Sequence, residues 1–167
     1  MKNILINILT FAIVAAIIVI LFLSLGTEEG AKYVHKGNIE HKVIFVKPKE
    51  YQCSECNMDI EEMKYAVQLV TKEGNTYFFD EIGCLVLWLK NNKVNIEKIF
   101  TKTVDTDRWI DARIAYYSRI ASTPMGYGLT ALEEKKEKLI TYEDMKLFML
   151  QGKHLHDPFI KKKLLGK

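Results

Sequence analysis

Apolar and polar positions divide the chain into a long uninterrupted hydrophobic run and a mixed remainder. Ile4 to Leu25 spans 22 residues without a charge, and its polar side chains are Asn7, Thr10 and Ser24. At about 1.5 Å per helical residue, such a run covers a hydrocarbon core of roughly 30 Å, so the pattern predicts a transmembrane helix. Beyond it the spacing turns to short strands and helices. Val43-Ile-Phe-Val46 and Tyr65 to Thr71 read as strands, Lys72-Glu-Gly-Asn75 as a hairpin turn, and Thr76 to Phe79 as the returning strand. Asp80 fits a helix N-cap before the apolar stretch Ile82 to Leu89, and Ile99 to Val104 reads as another strand. In the second half, Arg108 to Ile110, Ile114 to Ser118 and Tyr127 to Leu132 suggest strand pieces. Thr141 is placed to cap a helix from Tyr142 to about Gln151, with Glu143 and Asp144 in its first turn.

These elements predict an α+β chain in four parts: an anchor over 1–26, a linker over 27–42, a folded domain over 43–152 and a polar basic tail over 153–167. Lys2 before the apolar run, with Glu28 and Glu29 after it, orients the N-terminus to the cytoplasm by the positive-inside rule. The expected location is therefore the inner membrane, crossed once, with the C-terminal domain in the periplasm. Ser24-Leu25-Gly26 would also serve as a cleavage site, which leaves a removed leader as the alternative. The +3 net charge sits at the ends: without Lys2, Lys161, Lys162, Lys163 and Lys167 the body carries 19 basic against 21 acidic residues. That balance has no stripe or block of cations and argues against nucleic-acid binding.

Candidate chemistry is concentrated in Cys53-Ser-Glu-Cys56-Asn-Met58. Two thiols and a thioether are soft donors, which select Cu(I), with Zn(II) or an iron–sulfur centre as competitors. The same Cys-x-x-Cys pair also suits a redox couple or a structural disulfide. Thioredoxin-like motifs place the second cysteine in a helix, whereas Asn57-Met58-Asp59 gives no helix start. Cys84 lies in an apolar helical stretch, where a small buried hydrophobe is the ordinary reading and a metal or partner role the alternative. Met145 and Met149, four apart on one helix, read as core. His154-x-His156 falls in the tail and reads as solvated, or as an auxiliary Cu(II) site. Asp111 and Arg113 would share a strand face and pair. No Ser–His–Asp set, phosphate-binding glycine loop or paired catalytic carboxylates can be read from the chain.

Four segments occur in a telling order: Cys53-x-x-Cys56-x-Met58, Tyr77-Phe-Phe-Asp80, Trp109-Ile-Asp-Ala-Arg113 with Ala115-Tyr-Tyr117, and Pro124-Met-Gly126. Over about Tyr51 to Leu150 this pattern resembles the NosL family, the accessory copper chaperones of nitrous oxide reductase. The resemblance implies two ββαβ-like modules similar to the organomercurial-lyase fold, and Cu(I) held by a non-enzyme. It also implies work with a copper ABC-type transporter and its periplasmic accessory protein, which load the reductase. Cys53 and Cys56 would bind as thiolates and Met58 and Met125 as thioethers. Family members are commonly lipoproteins, and here the N-terminal helix would replace the lipid. The other functional classes are a thiol–disulfide oxidoreductase and an assembly protein holding zinc or a disulfide.

Overall fold

The computed structural model describes residues 2–25 and 32–166, with only the helical backbone for 2, 3, 5, 9 and 22–25. Contacts divide the chain into two units, Met1–Ala31 and Lys32–Lys167. In the first, α1 runs Lys2–Leu25. The expected transmembrane anchor is corrected here, because among the described residues no helix is long and apolar enough to cross a membrane. The single-pass inner-membrane location with a periplasmic domain rested on that span and is overturned with it.

The second unit is a small mixed α/β domain. Strands β1 (Val34–His35), β2 (Val67–Thr71), β3 (Thr76–Phe79), β4 (Ile96–Lys102) and β5 (Trp109–Asp111) form one antiparallel sheet in the order β1-β3-β2-β4-β5. β2 and β3 join through a tight turn in which Gly74 has φ +78°, and the Gly74 N–H donates to Thr71 O at 2.9 Å. β2 is buried along its whole length, Gln68 included, as befits the central strand of a sheet covered on both faces. Gln68 explains why Val43–Val46 is not a strand. Its amide exchanges two hydrogen bonds with the Ile44 backbone, at 2.9 and 2.7 Å, and so replaces a strand neighbour. Helix α2 (Ile82–Asn91) follows β3 and buries Ile82, Leu85, Val86 and Trp88.

The second half does not repeat the first, which corrects the expectation of two ββαβ modules. β5 completes the first sheet, while β6 (Tyr116–Ser118) and β7 (Thr130–Leu132) form a separate two-stranded ladder. Helix α3 (Tyr142–Leu150) packs on α2, and among the described residues no strand follows it. The physical reason is that these strands are three residues long and lean on side chains for support. Tyr117 is fully buried, and its hydroxyl donates to Ala112 O at 2.7 Å. The last helix among the described residues is α4 (Pro158–Leu165), capped by Asp157, whose carboxylate accepts from the Phe159 and Ile160 N–H groups.

Candidate metal centre

The Cys-x-x-Cys segment is a turn, not a helix start. The Asn57 N–H donates to Cys53 O at 2.9 Å, and the Cys53 N–H donates to Met58 O at 2.8 Å. Asn57 has φ +63°, a left-handed conformation that Asn adopts more readily than most residues. The Ser54 N–H donates to Phe78 O at 2.8 Å and ties the turn to β3. Cys53 is thereby driven inward to full burial, while Cys56 stays half-buried.

The end of β3 supplies the other wall. Asp80 is buried, and it does not cap α2: that position belongs to Glu81, whose backbone is extended and whose side chain makes no cap hydrogen bond. Asp80 instead faces sulfur, with the Cys53 thiol donating to Oδ1 at 3.3 Å and the Cys56 thiol to Oδ2 at 3.5 Å. Cys84, in the first turn of α2, is fully buried beside them. The four donor atoms of Cys53, Cys56, Asp80 and Cys84 all lie within 4.8 Å of one another. All three cysteines are free thiols.

Electrostatics divides the thiols into distinct roles. The Cys84 thiol donates toward Cys53 and holds the Cys53 pKa below its usual value, against burial and the nearby Asp80 carboxylate. Cys84, as the donor in that pair and deeply buried, is raised. Burial pushes Cys56 up to about 12. Deprotonating all three thiols would stack negative charge beside Asp80 in a buried site. Such a donor set needs a cation to ionise fully. Soft sulfurs in this number fit a thiophilic ion, and Asp80 adds one hard oxygen.

The predicted thioethers belong to segments that adjoin these residues. Met58 is 44% exposed and lines a cleft of about 380 Å³ together with Asp59, Glu61, Glu62, Asp80 and Pro124. Met125 is half-buried against the core in the turn after Pro124. Its N–H donates to Glu81 Oε2 at 2.9 Å, which joins that turn to the start of α2. Met145 and Met149 are buried core residues. The structure thus gathers Cys53 and Cys56 with Asp80 and Cys84, with Met58 on the cleft beside Asp80 and Met125 tied through its N–H to Glu81.

Asp80 was not singled out as a ligand by the sequence, and for Cys84 a metal role was only the alternative reading. Asp80 looked like a cap because it precedes an apolar helix. Cys84 looked like core because its neighbours are apolar. The available signal was their spacing: a carboxylate at a strand end and a thiol one helical turn later share one side of the junction. His154 and His156 are not simply solvated. Both rings pack on Tyr127, at centroid distances of 4.8 and 4.6 Å. Asp111 and Arg113 pair weakly, at 3.9 Å, and the firmer contact is the Arg113 N–H donating to Asp111 Oδ1 at 2.9 Å.

No protein-family model and no curated protein matches the chain. Among solved structures the chain is similar to the copper chaperone NosL from Shewanella denitrificans, at 19% sequence identity and a TM-score of 0.48. The similarity covers 66% of this chain and 87% of that one. It names the family that the residue pattern resembles, and at this distance the site stands on the chain's own residues alone.

Proposed function

We propose that this chain is a non-catalytic copper-binding protein that accepts Cu(I) as cargo and passes it on. The observation that carries the reading is the gathering of three free thiols and Asp80 within 4.8 Å, with one thiol and a thioether on the accessible side. Cys53 and Cys84 are the retaining donors, since both are fully buried. Cys56 and Met58 are the exchanging donors, since Cys56 is only half-buried and Met58 is exposed at a cleft that Asp80 also lines. Met125 completes the set as a neutral thioether. The resemblance of the residue pattern supports nitrous oxide reductase as recipient, reached with the accessory protein of a copper ABC-type transporter.

An oxidoreductase fits less well, because a nucleophilic cysteine needs a lowered pKa at an exposed position. Here the accessible thiol, Cys56, is the one pushed up to about 12 by burial. A zinc site is the second reading, favoured by the Asp80 oxygen among three sulfurs. Anaerobic titration of the reduced protein against a competing Cu(I) chelator, with a parallel Zn(II) titration, separates the three. The copper reading expects one tightly held Cu(I), lost in Cys53→Ser and Cys56→Ser. Absent Cu(I) binding, or binding indifferent to both substitutions, would overturn it.

A further inference from the structure

Burying a carboxylate with few partners is expensive, and this fold does so beside the cluster. Glu81 has no exposed surface, and its Oε1 has no hydrogen-bond partner. Its other oxygen accepts the Met125 N–H at 2.9 Å. That contact lies in a turn closed by the Gly126 N–H donating to Thr123 O at 2.9 Å. On the far side of the same residue, His156 Nε2 meets the Met125 carbonyl at 2.5 Å. A carbonyl only accepts, so Nε2 carries the hydrogen. Gly126 leaves room for this approach: a Cβ there would lie 3.3 Å from His156 Nε2. Tyr127 then holds the imidazole in place through ring contact.

We infer that Glu81 and His156 are positioning residues that clamp the Met125 backbone from opposite sides and thereby present its thioether to the thiol cluster. The inference rests on the copper reading above, with Met125 as a ligand. A methionine in a short turn has three rotatable bonds and no fixed address. Fixing both its N–H and its C=O removes the backbone share of that freedom. One anchor comes from the start of α2, next to Asp80, and the other from the segment before α4. A docking partner that displaces His156 would loosen one side of the clamp while Glu81 keeps the other.

The test is Cu(I) affinity by chelator competition on the reduced full chain, with the sulfur count at copper read by X-ray absorption. Glu81→Ala and His156→Ala should each weaken Cu(I) binding about tenfold, as outer-sphere positioning residues do. Each should also lower the sulfur count. Glu81→Gln should restore both, because its amide oxygen still accepts the Met125 N–H. Met125→Leu should give the same loss and abolish any further effect of Glu81→Ala. Because Glu81 is buried, His156→Ala, at an exposed residue, keeps the test valid if Glu81→Ala does not fold. Unchanged affinity and sulfur count in His156→Ala, or losses that add fully to Met125→Leu, would overturn the clamp while leaving the thiol site standing. A wild-type protein without Cu(I) binding would remove the copper reading itself.

Discussion

Asp80 shows how much can turn on one carboxylate. Its position before an apolar helix suggests a cap, but the extended Glu81 backbone takes that position and frees Asp80 to accept from two thiols. Cu(I) prefers sulfur, so Asp80 should act through the thiols it bonds, whereas Zn(II) would take its oxygen directly. Asp80→Asn is therefore expected to weaken Cu(I) about tenfold, the lower end for an outer-sphere partner, and to weaken Zn(II) more. Chelator competition with each metal reads the difference; a larger loss for Cu(I) would make Asp80 a direct copper ligand. Gly83 is a second position decided by local packing. A Cβ there would sit 2.5 Å from Tyr127 Cδ2, and that ring is already held against His154 and His156. Gly83→Ala should cost about 1–3 kcal/mol, the usual range for overpacking, seen as a lower denaturation midpoint at unchanged slope.

At the scale of elements, legibility followed length and local signals. β3, α2 and α3 lie close to where the sequence places them, because each has a continuous apolar pattern and a turn or cap at its edge. Thr141 accepts the Asp144 N–H at 3.2 Å as a cap should. β5, β6 and β7 are three residues each, and their pairing depends on partners distant in sequence, which no local pattern encodes. The signal for α4 was present in Asp157-Pro158, an N-cap followed by proline at the first helical position. Its lysines made it read as a solvated tail. The segment before it is fastened, with the Leu155 N–H donating to Tyr127 O at 3.1 Å. Burial, and secondarily the neighbouring His156, hold the His154 pKa below its ordinary 6.5, with Asp157 opposing. The native state thus binds this proton less readily than the unfolded chain, so the contribution is present above pH 6.5 and lost as pH falls through the lowered native value. Hydrogen exchange at Leu155 should therefore become less protected on acidification over that window, and His154→Phe should remove the dependence. A pH-independent Leu155 in the wild type would show that His154 does not fasten this segment.

For the whole molecule, half of the site was readable and half was not, for one physical reason. Cys53 and Cys56 announce themselves by spacing, whereas Asp80 and Cys84 join them only because the Ser54 N–H hydrogen-bonds Phe78 O and brings the turn against the end of β3. The complete donor set therefore exists in the folded chain and not in the unfolded one. Metal binding to such a set is coupled to folding, and ligand binding to the native state stabilises it by mass action. With free Cu(I) buffered at 100 times the dissociation constant, the gain is about 2.7 kcal/mol, or roughly 10 °C in melting temperature for a domain of this size. The apo protein should gain this shift on anaerobic loading, and Cys53→Ser and Cys56→Ser should lose most of it. Because thiols must shed protons to bind, the shift should shrink on acidification at fixed total copper. A loaded wild type that melts with the apo protein would mean that copper binds the unfolded chain as well as the native one. The four-residue cluster would then be no assembled site, whatever its affinity.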